Sequence, residues 1–384
     1  MKLIQTVDAE GAVLCHDITQ IIKGVTKDAV FRKGHIVRKE DIPVLLSVGK
    51  DQIYVWDNEE GMLHENDAAE ILASLCMGEF MEKSQPKEGK IELKANCDGL
   101  LKVDRAGLRA VNRFGQMMIA SRHGDFAVKK GDKLAGTRII PLVIEEEKMR
   151  AAQKAAAEAT GGKPIFALKP FKHKKVGIVT TGNEVYAGRI QDEFTPVIRE
   201  KLAAFDTEVI DHVIWNDDDK KVTASILSMI EQGADIVICT GGMSVDPDDR
   251  TPLAIKNTGA KIVSYGAPVL PGAMFLLAYY QVKGNGVPTG KAGKDAETGA
   301  DKTVGGMEKT GTGGGKEAKE RTVAVMGLPG CVMYAKRTIF DLVLPRVMAD
   351  DPVTPEELAG LGEGGLCLNC PECTFPNCGF GKGK

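Results

Sequence analysis

KVGIVTTGNE, residues 175–184, is the stretch that decides the fold of the larger part of this chain. Its first six residues form an apolar run that is typical of a β-strand buried on both faces. The run ends in small and polar residues with one glycine, which indicates a turn directly after the strand. This stretch therefore predicts a strand inside an α/β domain, followed by a turn that carries polar groups.

The residues that follow continue the alternation of strand and helix. The predicted order is a helix over 194–205, a strand over 207–214, a helix over 220–232, a strand over 235–239 and a helix from residue 251. This alternation predicts a parallel sheet with helices on both faces, and we assign the domain to residues 170–350. Ligands of such sheets bind beyond the carboxyl ends of the strands.

Glycine-bearing turns follow three of the predicted strands. They are TTGNE at 180–184, TGGMS at 240–244 and GLPG at 327–330. Glycine lets backbone N–H groups approach an anion closely, and a helix that follows the turn adds a partial positive charge. Three such turns at one edge of a sheet favour a phosphorylated or otherwise anionic ligand. Tight turns without a ligand are the alternative.

Acidic residues lie at neighbouring strand ends. Glu184 follows the first strand, Asp217 follows the second, and Asp248 and Asp249 follow the Gly-Gly turn. Carboxylates beside a phosphate would repel it unless a cation lies between them, and Mg²⁺ commonly binds through one or two carboxylates and phosphate oxygens. We therefore predict a magnesium site at Asp248 and Asp249. Helix capping, by Asp219 and Asp249, is the alternative for such residues.

Four cysteines lie close together near the end of the chain, in a Cys-rich tail assigned to residues 351–384. They have the spacing C-x2-C-x2-C-x4-C and are Cys367, Cys370, Cys373 and Cys378. Four thiolates so close in sequence can turn back onto one metal centre. Zinc suits four thiolates, and the first three cysteines also have iron–sulfur spacing. The tail thus predicts a zinc or iron–sulfur site, with a disulfide or an inert tail as the alternative.

Five motifs occur in a fixed order between residues 175 and 350. They are Thr-Gly-Asn-Glu at 181–184, the acids after the second strand, Thr-Gly-Gly with a trailing Asp at 240–249, Pro-Gly at 271–272 and Leu-Pro-Gly at 328–330. In this order they resemble the motifs of molybdopterin-binding domains. Those domains are shared by the molybdopterin adenylyltransferases and the molybdopterin molybdenumtransferases.

The resemblance implies a ligand and a set of site residues. The ligand would be molybdopterin, a pterin with a dithiolene and a terminal phosphate. The implied catalytic acids are Asp249, Asp217 and Glu184. The implied cofactor-binding residues are Thr180, Gly182, Thr240, Gly241, Gly242, Ser244, Pro271, Gly272, Pro329 and Gly330.

The stretches GAVLCHDI, at 11–18, and KKGDKLAGT, at 129–137, resemble the amino-terminal region of the molybdenumtransferases more loosely. This favours Mg²⁺-dependent release of AMP from adenylylated molybdopterin, with insertion of molybdate. The first alternative is a non-catalytic carrier or sensor that holds the cofactor for a molybdenum or tungsten enzyme. A nucleotide pyrophosphate-processing enzyme on the same fold is a third reading. The resemblance also implies a homodimer.

Several positions depart from the family pattern. Asp246 stands where a glycine is usual, and Leu270 and Ala273 flank the Pro-Gly pair where lysines are usual. Cys331 and Val332 replace an Asn-Pro pair, and the tail takes the place of a small carboxyl-terminal β domain. These departures motivate the carrier alternative.

The remaining segments carry no cluster of catalytic type. Residues 1–144 are predicted to form a smaller, strand-rich α+β region, and residues 145–163 a solvated linker helix. Residues 283–320 are rich in Gly, Lys and Thr and are predicted to form a disordered insertion within the domain. These assignments give the chain two compact parts and a tail.

Composition limits the classes of partner. Fifty basic and 53 acidic residues give a formal net charge of −3, which does not favour a nucleic-acid or membrane surface. No apolar stretch reaches the length of a membrane span. Nine cysteines are an odd number, and five are scattered through apparent core, as in cytoplasmic proteins. We therefore expect a cytoplasmic protein that binds neither nucleic acid nor membranes.

Overall fold

A computed structural model describes residues 2–22, 26–55, 60–244, 246, 249–282 and 320–383. The chain forms two compact units, Met1–Pro170 and Phe171–Lys384. Two predictions lie outside the described residues: the magnesium ligand Asp248 and, apart from Glu320, the insertion at 283–320.

The first unit is an α+β arrangement of short sheets and helices. Its strands are β1 Lys2–Gln5, β2 Ile18–Ile22, β3 Thr26–Phe31, β4 Gln52–Val55, β5 Met62–His64, β6 Met81–Lys83, β7 Lys90–Ala95, β8 Gly99–Val103, β9 Met117–Ser121, β10 Phe126–Val128, β11 Lys133–Ile139, β12 Val143–Glu145 and β13 Phe166–Pro170. Its helices are α1 Asp41–Ser47, α2 Glu65–Cys76, α3 Arg105–Asn112 and α4 Glu146–Thr160. A core of this unit includes Leu72, Leu93 and Phe166, each fully buried.

Helix α4 lies where the linker helix was predicted, but it is part of the first unit rather than a solvated connection. Met149, Ala152 and Ala156 are buried in the same core as Leu72. Alanine at a spacing of three to four residues presents a narrow apolar stripe that lets a helix pack closely. A stripe of alanines without large apolar side chains is a weak signal of core in a sequence, so burial of this face is not predicted from the sequence.

The second unit contains the α/β sheet. Its strands are β14 Lys174–Thr181, β15 Thr207–Trp215, β16 Ile236–Thr240, β17 Lys261–Tyr265, β18 Leu276–Val282 and β19 Arg321–Leu328. Its helices are α5 Asn183–Tyr186, α6 Phe194–Leu202, α7 Asp219–Glu231, α8 Thr251–Asn257, α9 Ile339–Met348 and α10 Pro355–Ala359, with a 3₁₀ turn at Gly330–Met333. The strand order is β15-β14-β16-β19-β18-β17.

The predicted α/β fold is confirmed, although one edge of the sheet is antiparallel. Strands β15, β14, β16 and β19 pair in parallel, whereas β18 runs antiparallel to both β19 and β17. A parallel neighbour requires a crossover of a dozen or more residues, usually a helix. The short connection from β17 to β18 contains no helix, so these strands pair antiparallel.

Helices cover both faces of this sheet. On one face, Ile226 of α7 and Ile255 of α8 share a core with Val179 and Val237 of the central strands. On the other side, α6 and α9 are joined by Lys201, whose ammonium nitrogen lies 2.8 Å and 2.9 Å from the two carboxylate oxygens of Asp341. The two helical layers bury the central strands, as the apolar sequence of β14 predicted.

The described part of the Cys-rich tail belongs to the second unit and is hydrogen-bonded to the loop before β18. The backbone N–H of Cys367 donates to the carbonyl oxygen of Leu270 at 2.8 Å, and Leu270 donates to Gly365 at 2.8 Å. Phe380 is 4% exposed. The cysteines are therefore held beside the loop that contains the Pro-Gly pair at 271–272.

Candidate functional site

A pocket of about 540 Å³ lies at the carboxyl ends of β16 and β19. It brings together six of the predicted site residues, which are Gly241, Gly242, Ser244, Asp249, Pro329 and Gly330. The rest of the wall comes from Phe194, Met243, Ala273, Met274, Cys331, Met333 and Tyr334. The glycine turns after β16 and β19 therefore line the same pocket.

The Gly-Gly turn after β16 lies against the turn after β14. Gly241 has φ +79°, and a Cβ there would lie 2.0 Å from the carbonyl oxygen of Thr181. The hydroxyl of Thr181 donates to the carbonyl oxygen of Thr240 at 3.2 Å and lies 3.0 Å from the hydroxyl of Thr251. A side chain at residue 241 has no room, so the close approach of the two turns requires glycine. Thr181 and Thr251 position the turn, and no local pattern in the sequence indicates this role of Thr251.

The three predicted catalytic acids differ in position. Asp249 is partly buried and lines the pocket. Asp217 lies behind the Gly-Gly turn, where a Cβ on Gly242 would be 3.4 Å from its Oδ1. Glu184 is exposed on α5 and does not line the pocket. Within the described ranges, no group of three or more His, Cys, Asp or Glu side chains is placed to hold a metal ion.

Helix capping does not account for Asp249. The N-cap residue of α8 is Arg250, which makes no capping hydrogen bond through its side chain. The N-cap of α7 is Asp218 rather than Asp219, and its carboxylate accepts from the N–H groups of Lys220 and Lys221. Asp219 instead accepts from Arg250 at 3.2 Å. The carboxylate of Asp249 therefore remains a candidate for ligand or metal binding.

Thr180, predicted to bind the cofactor, belongs to a polar cluster outside the pocket wall. Its hydroxyl donates to Asp192 at 3.1 Å and lies 3.1 Å from Nε2 of His212. Burial raises the pKa of Asp192, but hydrogen bonds, chiefly from Thr195, outweigh it and hold that pKa below its ordinary value. Asp192 also accepts from the N–H of Phe194 at 2.9 Å, which fixes the start of α6 and its pocket-lining residue.

Four other predicted cofactor-binding residues also lie outside the pocket wall: Gly182, Thr240, Pro271 and Gly272. Gly272 has φ +131°, and a Cβ there would lie 2.6 Å from Cγ2 of Ile339, so this glycine serves packing against α9. The residues that follow it, Ala273 and Met274, line the pocket instead. The hydroxyl of Thr240 is buried and meets no hydrogen-bond partner in the described parts of the chain.

The pocket wall is mostly apolar and carries little charge. Asp249 is the one charged side chain among its described lining residues. Tyr265 donates to the carbonyl oxygen of Met243 at 3.0 Å, and burial, with the nearby charge of Asp249, raises the pKa of this tyrosine. The sequence did not predict the apolar part of the wall, because methionine and tyrosine beside a strand end are equally typical of core.

A second cavity, of about 210 Å³, is lined by all four cysteines of the tail. No described cysteine forms a disulfide. The Cys373 thiol accepts from the N–H of Phe375 and from the Arg337 guanidinium, which together lower its pKa. By contrast, burial raises the pKa of the core thiols Cys76 and Cys239 to about 12 each. The thiols of Cys76 and Cys239 are therefore harder to ionise than the Cys373 thiol.

Comparisons with known proteins find two family models that match parts of the chain. A family model described as a probable molybdopterin binding domain matches residues 177–349, and one described as a domain of unknown function matches residues 3–57. CinA-like proteins of Mycobacterium tuberculosis (strain H37Ra) and Mycobacterium marinum are 36% and 35% identical over 77 residues, or 20% of this chain. The chain covers 18% of the length of each of these relatives.

Solved structures with some likeness include the tungsten cofactor synthesizing protein MoaB from Pyrococcus furiosus, at 20% identity and a TM-score of 0.28. The match covers 47% of this chain and 89% of that one. The molybdopterin biosynthesis enzyme MoaB from Thermus thermophilus is 19% identical with a TM-score of 0.31, and the match covers 47% and 98% of the two chains.

The fold and the site together define an α/β domain with a glycine-rich pocket at the carboxyl ends of its parallel strands. Residues 177–349 match the model of the probable molybdopterin-binding domains, so the resemblance seen in the sequence motifs is confirmed for this part of the chain. In the described part of the chain, no helix is both long and apolar enough to cross a membrane.

Proposed function

We propose that the pocket at the ends of β16 and β19 binds molybdopterin or its adenylylated form, and that the protein acts in molybdenum-cofactor biosynthesis. The observation that carries this proposal is the meeting of Gly241, Gly242 and Gly330 around one space of about 540 Å³. That volume lies in the range of small-molecule sites. The family of residues 177–349 supports a molybdopterin ligand.

The pocket wall has an apolar part that fits the pterin ring of such a ligand and glycine turns that fit its terminal phosphate. A pterin ring is flat, and the side chains of Phe194, Met243 and Met274 offer it an apolar surface. The terminal phosphate would lie against the glycine turns, where backbone N–H groups can approach it. The 3₁₀ turn at Gly330–Met333 follows β19 directly, so its first N–H groups are part of this edge.

The proposed activity is of the molybdenumtransferase type, in which the phosphoanhydride bond to AMP is broken and molybdate is inserted. Mg²⁺ would offset the phosphate charges when it is bound, and Asp249 and Asp217 are the residues that would hold it. One or two carboxylates are enough for Mg²⁺ when substrate phosphates complete its shell. Removal of Asp249 would weaken this arrangement, because it is the acid in the pocket wall.

A carrier that holds the cofactor without turnover is the second candidate, and one observation favours it. None of the described residues that line the pocket is a lysine or an arginine. Enzymes that transfer or release phosphoryl groups commonly place cations at the phosphates. Without such a cation, catalysis would depend on Mg²⁺ and backbone N–H groups.

AMP release from adenylylated molybdopterin, with Mg²⁺ and molybdate, tests the proposal and separates the two candidates. If the protein is the enzyme, we expect repeated turnover, and the rate of AMP release should fall at least about tenfold in Asp249→Ala. The matched control is Asp246→Ala, since Asp246 is an exposed acid three residues away that does not line the pocket. Binding of the ligand without turnover would establish the carrier. Absence of binding would refute both.

A further inference from the structure

The four cysteines of the tail line one common cavity. Cys367, Cys370, Cys373 and Cys378 all line the cavity of about 210 Å³. The backbone that carries them is fixed to the α/β unit. The ammonium group of Lys336 donates to the carbonyl oxygens of Cys370 and Pro371, at 3.0 Å and 2.6 Å. The separation of the thiols is therefore set by contacts outside the tail as well as within it.

This arrangement does not match a single zinc ion. A Zn–S distance of about 2.3 Å in a tetrahedron brings the four sulfurs within about 3.8 Å of one another and leaves no space between them. Where the structure describes the chain, no three potential ligands converge in this way. The cavity is also many times larger than the roughly 10–15 Å³ that one water molecule needs.

An iron–sulfur cluster fits the same geometry. Each of its thiolates binds one of several irons, so the four sulfurs stand around the cluster and a space of its size lies between them. The spacing of the first three cysteines, C-x2-C-x2-C, is also that of cluster-binding sequences. The wall is mainly apolar, with the side chains of Leu366 and Phe375 beside the thiols.

The charges around the cavity suit a cluster that carries four thiolates and is therefore an anion. Lys336 and Arg337 both line it. The guanidinium of Arg337 lies 4.8 Å from the centre of the Phe375 ring and donates to Asp341 at 2.9 Å. Its Nε is buried and has no acceptor among the described residues. Cluster sulfurs accept hydrogen bonds from such N–H groups.

We propose that this cavity is the site of an iron–sulfur cluster ligated by Cys367, Cys370, Cys373 and Cys378. The site adjoins the candidate molybdopterin pocket along the chain: Tyr334 lines the pocket, and Lys336 and Arg337 line the cavity. The proposal does not depend on the identity of the pterin ligand, because it rests on the tail and its cavity alone.

The test is the iron, sulfide and zinc content of the full chain, purified without oxygen and then reconstituted with ferrous iron and sulfide. The expected result is at least two irons per chain with as many acid-labile sulfides, broad visible absorbance and an electron paramagnetic resonance signal in one redox state. Cys370→Ser and Cys378→Ser should lose most of the iron. Cys97→Ser, which changes a partly buried cysteine of the first unit, should keep it.

Two results would overturn the proposal. One is a colourless protein with one zinc per chain and no iron after reconstitution. The other is an unchanged iron and sulfide content in Cys378→Ser. Neither measurement uses molybdopterin. A protein without a cluster would therefore not contradict the proposed function, and a protein that does not bind molybdopterin would not contradict the cluster.

Discussion

Gly241 and Thr181 lie so close that a Cβ on the glycine would be 2.0 Å from the threonine carbonyl oxygen. This approach joins the turns after two neighbouring parallel strands, β14 and β16. It places the Gly-Gly turn where it forms one wall of the candidate molybdopterin pocket. The shape of the site therefore depends on a residue without a side chain at this position.

Gly241→Ala should destabilise the second unit by about 2–5 kcal/mol, since it combines a left-handed backbone with a clash against Thr181. Gly330→Ala is the matched variant, because a Cβ there meets nothing within 4 Å and no positive φ is required. It should change stability by less than about 0.5 kcal/mol. Urea unfolding of both variants measures the difference, and equal effects would refute the steric argument.

Asp351→Ala should lower the unfolding free energy by about 3–5 kcal/mol, because it leaves a buried guanidinium without one of its partners. Nε of Arg346 donates to Asp351 at 2.6 Å, and the two residues are 7% and 6% exposed. Glu356→Ala, on the exposed side of α10, is the control and should have little effect. A cost below about 1 kcal/mol for Asp351→Ala would contradict this assignment.

The stability contribution of Asp350 should depend on pH. Burial raises its pKa, but hydrogen bonds from Lys172 and Lys174 outweigh it and hold the pKa below the ordinary value. A depressed pKa stabilises the fold above the ordinary pKa of aspartate, and this contribution is lost as pH falls through the folded value. Asp350→Asn should cost roughly 1 kcal/mol at neutral pH, since the site is half exposed.

The comparison of Asp350→Asn with the unchanged protein is made by denaturant unfolding at neutral and at acid pH. Asparagine tolerates the positive φ of 50° at this position, so the variant tests the charge. The difference in stability should shrink as the pH falls below the ordinary range of aspartate. A difference that stays constant with pH would show that the carboxylate charge does not contribute.

The position of α4 makes a further prediction within the first unit. Ala152→Lys introduces a long cation where the chain is fully buried, and it should cost about 3 kcal/mol or more. Ala151→Lys, one residue earlier on the exposed side, should be nearly neutral. Thermal unfolding of the two variants compares the faces of the helix. Equal stability of the two variants would show that α4 is a solvated linker helix, as the sequence predicted.

Local patterns in the sequence predicted most of the strands and helices of the second unit. The apolar run of β14 and the glycine turns predicted buried parallel strands with a site at their ends, because burial on both faces and turn chemistry are both readable along the chain. The antiparallel edge at β18 could not be predicted in this way. The direction of β18 depends on the short connection from β17, and its second partner, β19, lies far along the sequence.

The candidate site was only partly predictable for a similar reason. Gly241 and Gly330 lie just after β16 and β19, and Asp249 follows the Gly-Gly turn, so their positions in the sequence indicated this edge of the sheet, where they line one pocket. Glu184 also follows a strand, but its short helix leaves it exposed outside the pocket wall. Tyr334 and Met274 line the pocket through loop paths that no periodicity describes.

The most direct test of the central claim is the affinity of the purified chain for molybdopterin, measured beside Gly330→Val and Gly136→Val. Both positions have open space for a side chain, but only residue 330 lines the pocket. We expect binding by the unchanged protein and by Gly136→Val, and an affinity at least about tenfold weaker, or ~1.4 kcal/mol, in Gly330→Val. Equal affinity in all three proteins would place the ligand elsewhere and contradict the assignment of this pocket.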